Sequence, residues 1–246
     1  MKQKLLVNGL TAVFGNRIAK RMGFSALVIA FFLAFGLLLL FLRQGYIDNQ
    51  KFAVIQDAGT SIWGIRLYLQ GDIDYLSLLA KERADEKLTP ESFLMVGSKY
   101  VADHPALINI TWIDSNFIVK NVAPLKGNRQ IIGLTISLPE PARASQKARQ
   151  TRQPVYTNIF KAIQGGDSFE VWLPIFKDNQ FIGLFAGVYS LENFLKDIIP
   201  LQIRKRNYIE ILDKNMNVLT ELGAYQNLVP KVSKTIPISP LETVYL

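Results

Sequence analysis

One stretch limits what this chain can fold into more than any other. Met22 to Leu42 is an unbroken run of 21 residues without a charge. At ~1.5 Å of rise per helical residue it reaches ~31 Å, the thickness of a bilayer core. The alternative is a fully buried helix of a soluble domain. Such helices are usually shorter and carry some polar residues, so the run reads as a transmembrane helix.

The flanks orient it. Lys2, Lys4, Arg17, Lys20 and Arg21 precede the run, and residues 1–43 contain no Asp or Glu. Positive charge is retained in the cytoplasm, so the N-terminus is expected inside and the rest outside. A cleaved signal peptide competes with this reading. Its apolar core would span ~7–15 residues and end at a small-x-small site. Phe41-Leu-Arg-Gln-Gly-Tyr46 offers none, so an uncleaved anchor in a bacterial inner membrane is expected. Residues 1–21 form a basic leader, read either as an interfacial helix or as an unstructured source of charge.

Charge then separates function classes. The net charge is +8, from 28 basic and 20 acidic residues. Six of the basic residues lie in 1–43, leaving 22 against 20 beyond. The excess is a topology signal, and no basic footprint for nucleic acid remains. The absence of cysteine excludes disulfides and thiolate metal sites. His104 is the single histidine, and no Gly-rich phosphate loop is present. No catalytic constellation, metal site or cofactor is expected.

Beyond the anchor, Val54, Ala58, Ile62, Ile65 and Leu69 recur in steps of three and four, one face of a helix. A long helical stalk over 43–88 is expected, with a break near Gly71-Asp72. Its apolar stripe suits core packing, a partner protomer's helix, or both, and a homodimer through the stalk is expected. Thr89-Pro-Glu-Ser92 is a helix start, and Phe93, Gly97, Tyr100 and Val101 line that helix's inner face. The pattern then changes to period two. Ile108–Val122, Phe169–Tyr189 and Tyr208–Leu222 read as hairpins, each turning on Asp and Asn. A helix over 139–153, a short strand over 155–159 and a helix over 191–199 complete an α+β antiparallel sheet flanked by helices.

Several segments resemble a known family. Tyr100 to Phe117 resembles the first hairpin of extracytoplasmic PAS-like sensor domains of the CHASE/Cache superfamily. Pro124-Leu-Lys-Gly-Asn-Arg-Gln-Ile-Ile-Gly133 resembles the P-x-x-G-N-x-x-x-x-G link of CHASE-type domains. Ala148-Arg-Gln-Thr-Arg-Gln-Pro-Val155 resembles their helix exit, and Pro174–Phe176 with Phe181–Leu191 resembles their last strand pair. The likeness covers about 90–222. It implies a PAS-like sensor domain over 89–200 and a membrane-proximal β portion over 201–246. It further implies a small-molecule-sensing input domain of a membrane receptor, on the periplasmic side. A histidine kinase or diguanylate cyclase output would lie beyond the C-terminus, in a longer receptor. The competing reading is a membrane-anchored exported domain with a structural or partner-binding role.

In PAS-like folds the pocket lies between the sheet and the helix before its last strands. On that basis Arg149, Arg152, Tyr156, Thr157, Trp172 and Tyr189 are the candidate ligand-binding residues. The guanidinium groups favour an anionic ligand, and the aromatic rings would wall the pocket. The competing reading makes the arginines a solvated helix face and Trp172 and Tyr189 core.

Overall fold

A computed structural model describes residues 2–163, 165–212, 217–223, 235–236 and 244–245. Contacts divide the chain into two units, Met1–Ala53 and Val54–Leu246. The first unit belongs to helix α1 (Lys2–Ala84). Its apolar run is uncovered, with Phe31, Phe32 and Phe41 all more than 60% exposed. By length and composition this run can cross a membrane.

Within the second unit α1 continues to Ala84 without interruption. The break expected at Gly71-Asp72 is absent: Gly71 is exposed with open space around it, while Asp72 is pinned inside the core by side-chain hydrogen bonds. A mid-helix glycine costs about 1 kcal/mol, too little to end a helix held on both sides by packing. The apolar stripe also has a different destination. Ile65 and Leu69 are 2% and 4% exposed and join the domain's own core, with Ile62 packed against it. The C-terminal part of the stripe is therefore taken up by this chain's own core, while Val54, Ala58 and Ile62 stay partly exposed.

Helix α2 (Pro90–Asp103) starts where the sequence indicates. Thr89 accepts from the Ser92 amide, and Ser92 Oγ receives the Thr89 amide, a reciprocal capping box with Pro90 in the first turn. Two hairpins follow the sequence pattern. They are β1 (Leu107–Asp114) with β2 (Val119–Ala123), and β5 (Asp167–Lys177) with β6 (Gln180–Ser190). Between them lie a 3-10 turn (Arg129–Ile131), α3 (Pro139–Thr151), β3 (Val155–Tyr156) and β4 (Phe160–Lys161). The strand expected over 155–159 is only two residues long, and a second short strand, β4, pairs with β5 instead. The sheet order is β2-β1-β6-β5-β3, all antiparallel.

Helix α4 (Leu191–Ile198) is capped by Ser190, and α5 (Leu201–Arg206) follows Pro200. The proline that ends one helix opens the next, a sequel the periodicity did not reveal. A small second sheet is ordered β8-β7-β10-β9, where β7 is Ile209–Leu212, β8 Val218–Leu222, β9 Thr235–Ile236 and β10 Val244–Tyr245. The expected turn of its hairpin, 213–217, falls mostly outside the described residues.

Strand alternation gives the main sheet two apolar faces. Phe169, Val171, Leu173, Phe185 and Tyr189 point to the inner face, where α1, α2 and α4 pack. Ile113, Val122, Trp172, Leu184 and Ala186 point to the outer face, closed by Ala144 and Ala148 of α3. A sheet covered on both faces tolerates few polar side chains, so each one it holds calls for an explanation.

Candidate functional site

The outer face is incompletely covered. Between the sheet and the segment from Ile131 to Pro141 lies a cavity of about 140 Å³. An engineered cavity of ~150 Å³ in another protein holds a benzene molecule, so this one has room for a six-membered ring. Its floor is Thr111 of β1, Glu170 and Trp172 of β5, and Ala186 and Val188 of β6. Ile131, Ile136 and Leu138 form a wall, and Phe160, Ala162 and Ile163 border the far side. Ile163 and Leu134 on its rim are exposed, whereas Trp172 and Val188 are buried.

The wall is held by a polar chain that explains the Pro124–Asn128 motif. Gly127 adopts a φ of 80°, a region open to glycine. The turn brings Asn128 into the core, where its Nδ2 donates to the Pro124 carbonyl at 3.0 Å. Asn109 Nδ2 donates to Asn128 Oδ1 at 3.2 Å, and Thr111 Oγ1 donates to Asn109 Oδ1 at 2.7 Å. These bonds fasten the link to the middle of β1 and so position Ile131 to Leu138 over the sheet.

Glu170 is the one ionisable residue among those described around the cavity. It is buried, and Trp172 Nε1 donates to its Oε2 at 2.8 Å. That is the carboxyl's one donor among the described residues. The Glu170 backbone is tied to β3's continuation: its amide donates to Thr157 Oγ1 at 2.8 Å and its carbonyl accepts from the Thr157 amide. Burial pushes the Glu170 carboxyl up to about 8, and the Trp172 bond offsets only part of that effect. A carboxyl in such a place holds its proton near neutrality, or gives it up to a cationic or N–H donor that replaces the lost water.

The six residues expected at the site do not converge. Trp172 lines the cavity. Thr157 is buried as a partner of the β5 backbone at Glu170 and does not line the cavity. Tyr156 and Tyr189 are buried on the inner face, on the other side of the sheet. Arg149 and Arg152 are exposed. Arg149 lies over the Phe181 ring at 4.8 Å, and Arg152 lies over Phe176 at 4.7 Å. Arg152 also donates through Nη1 to Asn179 Oδ1 at 3.0 Å. The reason is the direction of α3. Its first turn, at Pro141, borders the cavity, and its last turn rests on the β5–β6 turn, about 15 Å further along at helical rise. Sequence reasoning passed over Glu170. Its signal was a single acid inside the apolar run Phe169-Glu-Val-Trp-Leu-Pro-Ile-Phe176, where a buried charge requires a reason.

Comparison with known proteins bears on the fold. A family model described as the CHASE domain matches residues 97–222, just over half of the chain. The chain belongs to the CHASE family. Among solved structures, the ligand-binding domain of the Pseudomonas aeruginosa PAO1 amino acid chemoreceptor PctC, in complex with GABA, is similar at a TM-score of 0.55 and 15% identity, covering 80% of this chain and 97% of that one. The sensory domain of the Campylobacter jejuni chemoreceptor Tlp3 with isoleucine bound is similar at 0.51 and 16%, covering 73% and 72%. An extracellular ligand binding receptor from Desulfohalobium retbaense DSM5692 gives 0.52 and 19%, and the match spans 65% of this chain but only 30% of that receptor. A search of curated proteins gives no match. The CHASE domain here is thus an extracellular small-molecule-sensing input domain of a membrane receptor, built on the fold of the chemoreceptor ligand-binding domains.

Proposed function

We propose that this CHASE domain senses a small ligand that enters the outer-face cavity and presents an N–H donor to Glu170. The observation that carries the reading is a buried carboxyl at the cavity floor, with Trp172 as its one donor. A buried acid with an open acceptor position favours an amine or an N–H heterocycle of about one ring, and the apolar side chains of Val119, Ile131 and Val188 receive the ring. The arginines that favoured an anionic ligand lie away from the cavity, over the Phe181 and Phe176 rings. The amino acid and GABA complexes of the similar chemoreceptor domains support a small amine-bearing ligand class.

The basic leader supports an N-terminus in the cytoplasm, a span at 22–42 and a sensor domain outside a bacterial inner membrane. A histidine kinase or diguanylate cyclase output inside the cell fits the resemblance to CHASE receptors. Homodimerisation, if parallel through α1, would use the outward stripe Ile55, Trp63 and Leu67, since Trp63 and Leu67 are 73% and 72% exposed.

The test is thermal shift of the full chain in detergent micelles against benzylamine-sized amines, N–H heterocycles, carboxylates and phosphates. A charge-assisted hydrogen bond is worth about 1.5–3 kcal/mol, so Glu170→Gln should weaken an amine or heterocycle hit by roughly 10–150-fold. Arg149→Ala and Arg152→Ala should leave its affinity unchanged. Hits confined to carboxylates or phosphates, or hits lost with either arginine and kept in Glu170→Gln, would overturn the reading.

A further inference from the structure

The inner face of the same strands holds a second buried carboxyl, and it lies on α1. Asp72 is 1% exposed. Tyr100 of α2 donates to its Oδ1 at 2.7 Å, and Tyr189 of β6 donates to its Oδ2 at 2.9 Å. Each carboxyl oxygen is thus taken by a different structural element. The donors are themselves held. Tyr100 is stacked between Tyr75 at 3.6 Å and His104 at 3.9 Å, and His104 Nδ1 lies 2.8 Å from the Tyr100 carbonyl. Tyr189 stacks on Phe169 at 4.7 Å.

Packing alone does not require this arrangement. An apolar residue at position 72 would join α1 to the sheet at least as well, because burying a carboxylate costs several kcal/mol before its bonds are counted. What the carboxyl adds is direction: two hydroxyls from two elements must both be in place. A rearrangement of well under 1 Å is enough to take a 2.9 Å bond out of its favourable range, so Asp72 responds to small movements of β6 relative to α1.

β6 is also the floor of the outer cavity. Val188 lines the cavity and Tyr189, the next residue, carries the inner bond. On β5 the same relation holds, with Glu170 opposite Val188 and Phe169 opposite Tyr189. Consecutive strand residues face opposite sides of a sheet, so whatever displaces these strands on one side moves the tyrosine on the other. We propose that Asp72, through Tyr189 and Tyr100, is the residue by which occupancy of the outer cavity is read onto α1. In this scheme Asp72 is a positioning residue: an occupant that shifts β6 lengthens the Tyr189–Asp72 bond and leaves the Asp72 carboxyl held by Tyr100 alone. The inference rests on the cavity being the sensing site, but it does not depend on the ligand's chemistry.

The test fills the cavity from within the chain, so that no ligand need be known. Val188→Met places a longer, flexible side chain in the cavity, and Ala186→Val serves the same purpose should Val188→Met not fold. Amide hydrogen exchange is followed in the full chain in lipid nanodiscs over residues 68–80 of α1. In the wild-type background the filled cavity should raise exchange there by about tenfold. In the Tyr189→Phe background, whose own baseline is already raised, the same filling should change exchange by less than about threefold. An equal response in both backgrounds would overturn the inference, since coupling would then bypass the Tyr189–Asp72 bond. No response of residues 68–80 to either filling substitution would overturn it too. A loss of amine or heterocycle binding in Glu170→Gln without any change in these results would concern the ligand reading only.

Discussion

Glu170→Gln is the substitution whose consequence can be worked out most fully. The Glu170 carboxyl is pushed up by burial from 4.5 to about 8. Between those values the folded chain keeps a proton that the unfolded chain has released. Its stabilising contribution is therefore complete below 4.5 and is lost as pH rises through about 8. The loss runs at ~1.4 kcal/mol per pH unit, or up to roughly 5 kcal/mol across the window. Water entry and local relaxation reduce this, and roughly 3 kcal/mol is a realistic figure. For a domain of this size 1 kcal/mol corresponds to ~2–4 °C of Tm, so wild type should lose about 10 °C of Tm to this group between pH 5 and pH 8. Glutamine retains an oxygen for Trp172 Nε1 and has no proton to lose. Thermal melts of both full chains in the same micelles, at half-unit steps from pH 5 to pH 9, give the difference directly. Asp72 is also raised by burial, and Glu86 and Glu140 are lowered by Lys177 and Arg143 respectively. These groups are common to both chains and cancel in the difference. The variant should be the more stable protein at pH 8 and nearly level with wild type at pH 5. Parallel pH curves would show that Glu170 ionises in the folded chain much as in water, and the argument for a proton-holding carboxyl at the cavity floor would fail.

Two further outcomes are expected. Gly183, in the middle of β6, has a φ of 148°, and a Cβ there would lie 2.3 Å from the Ile113 carbonyl oxygen. Gly183→Ala should therefore cost roughly 2–4 kcal/mol in denaturant unfolding; a change below ~0.5 kcal/mol would mean that the β1–β6 approach is looser than described. For topology, a reporter enzyme that works only outside the cytoplasm, fused after Leu228, should be active in cells, and an inactive fusion that is stably made would reverse the orientation.

Much of this protein is legible in its sequence because the signals are local. A run of 21 uncharged residues needs no tertiary context to fit a bilayer. Thr89 and Ser92 cap α2 through bonds across three residues. The hairpins β1–β2 and β5–β6 follow from period-two runs closed by Asp and Asn, whose side chains bond their own turn, as Asp114 does to the amides of Asn116 and Ile118. Family membership was legible for a similar reason, since Pro124, Gly127 and Asn128 form one compact turn.

What only the tertiary structure decided is where each face of these elements goes. The stripe through Ile65 and Leu69 announces a buried helix face, but an intramolecular core and a partner's helix both satisfy the same spacing. The sheet, whose strands β1, β2, β5 and β6 all lie beyond α2 in the chain, is what gives Ile65 and Leu69 their place in an intramolecular core. Arg149 and Arg152 were placed at the end of the right helix, yet a helix of thirteen residues has two ends about 20 Å apart, and the sequence does not say which one meets a cavity. Glu170 and Asp72 acquire their character from what surrounds them: Trp172 across an outer face closed by α3, and Tyr100 and Tyr189 across an inner face closed by α1 and α2. Burial, and the shift in acidity that burial causes, is a property of non-local packing, and no reading of neighbours along the chain contains it.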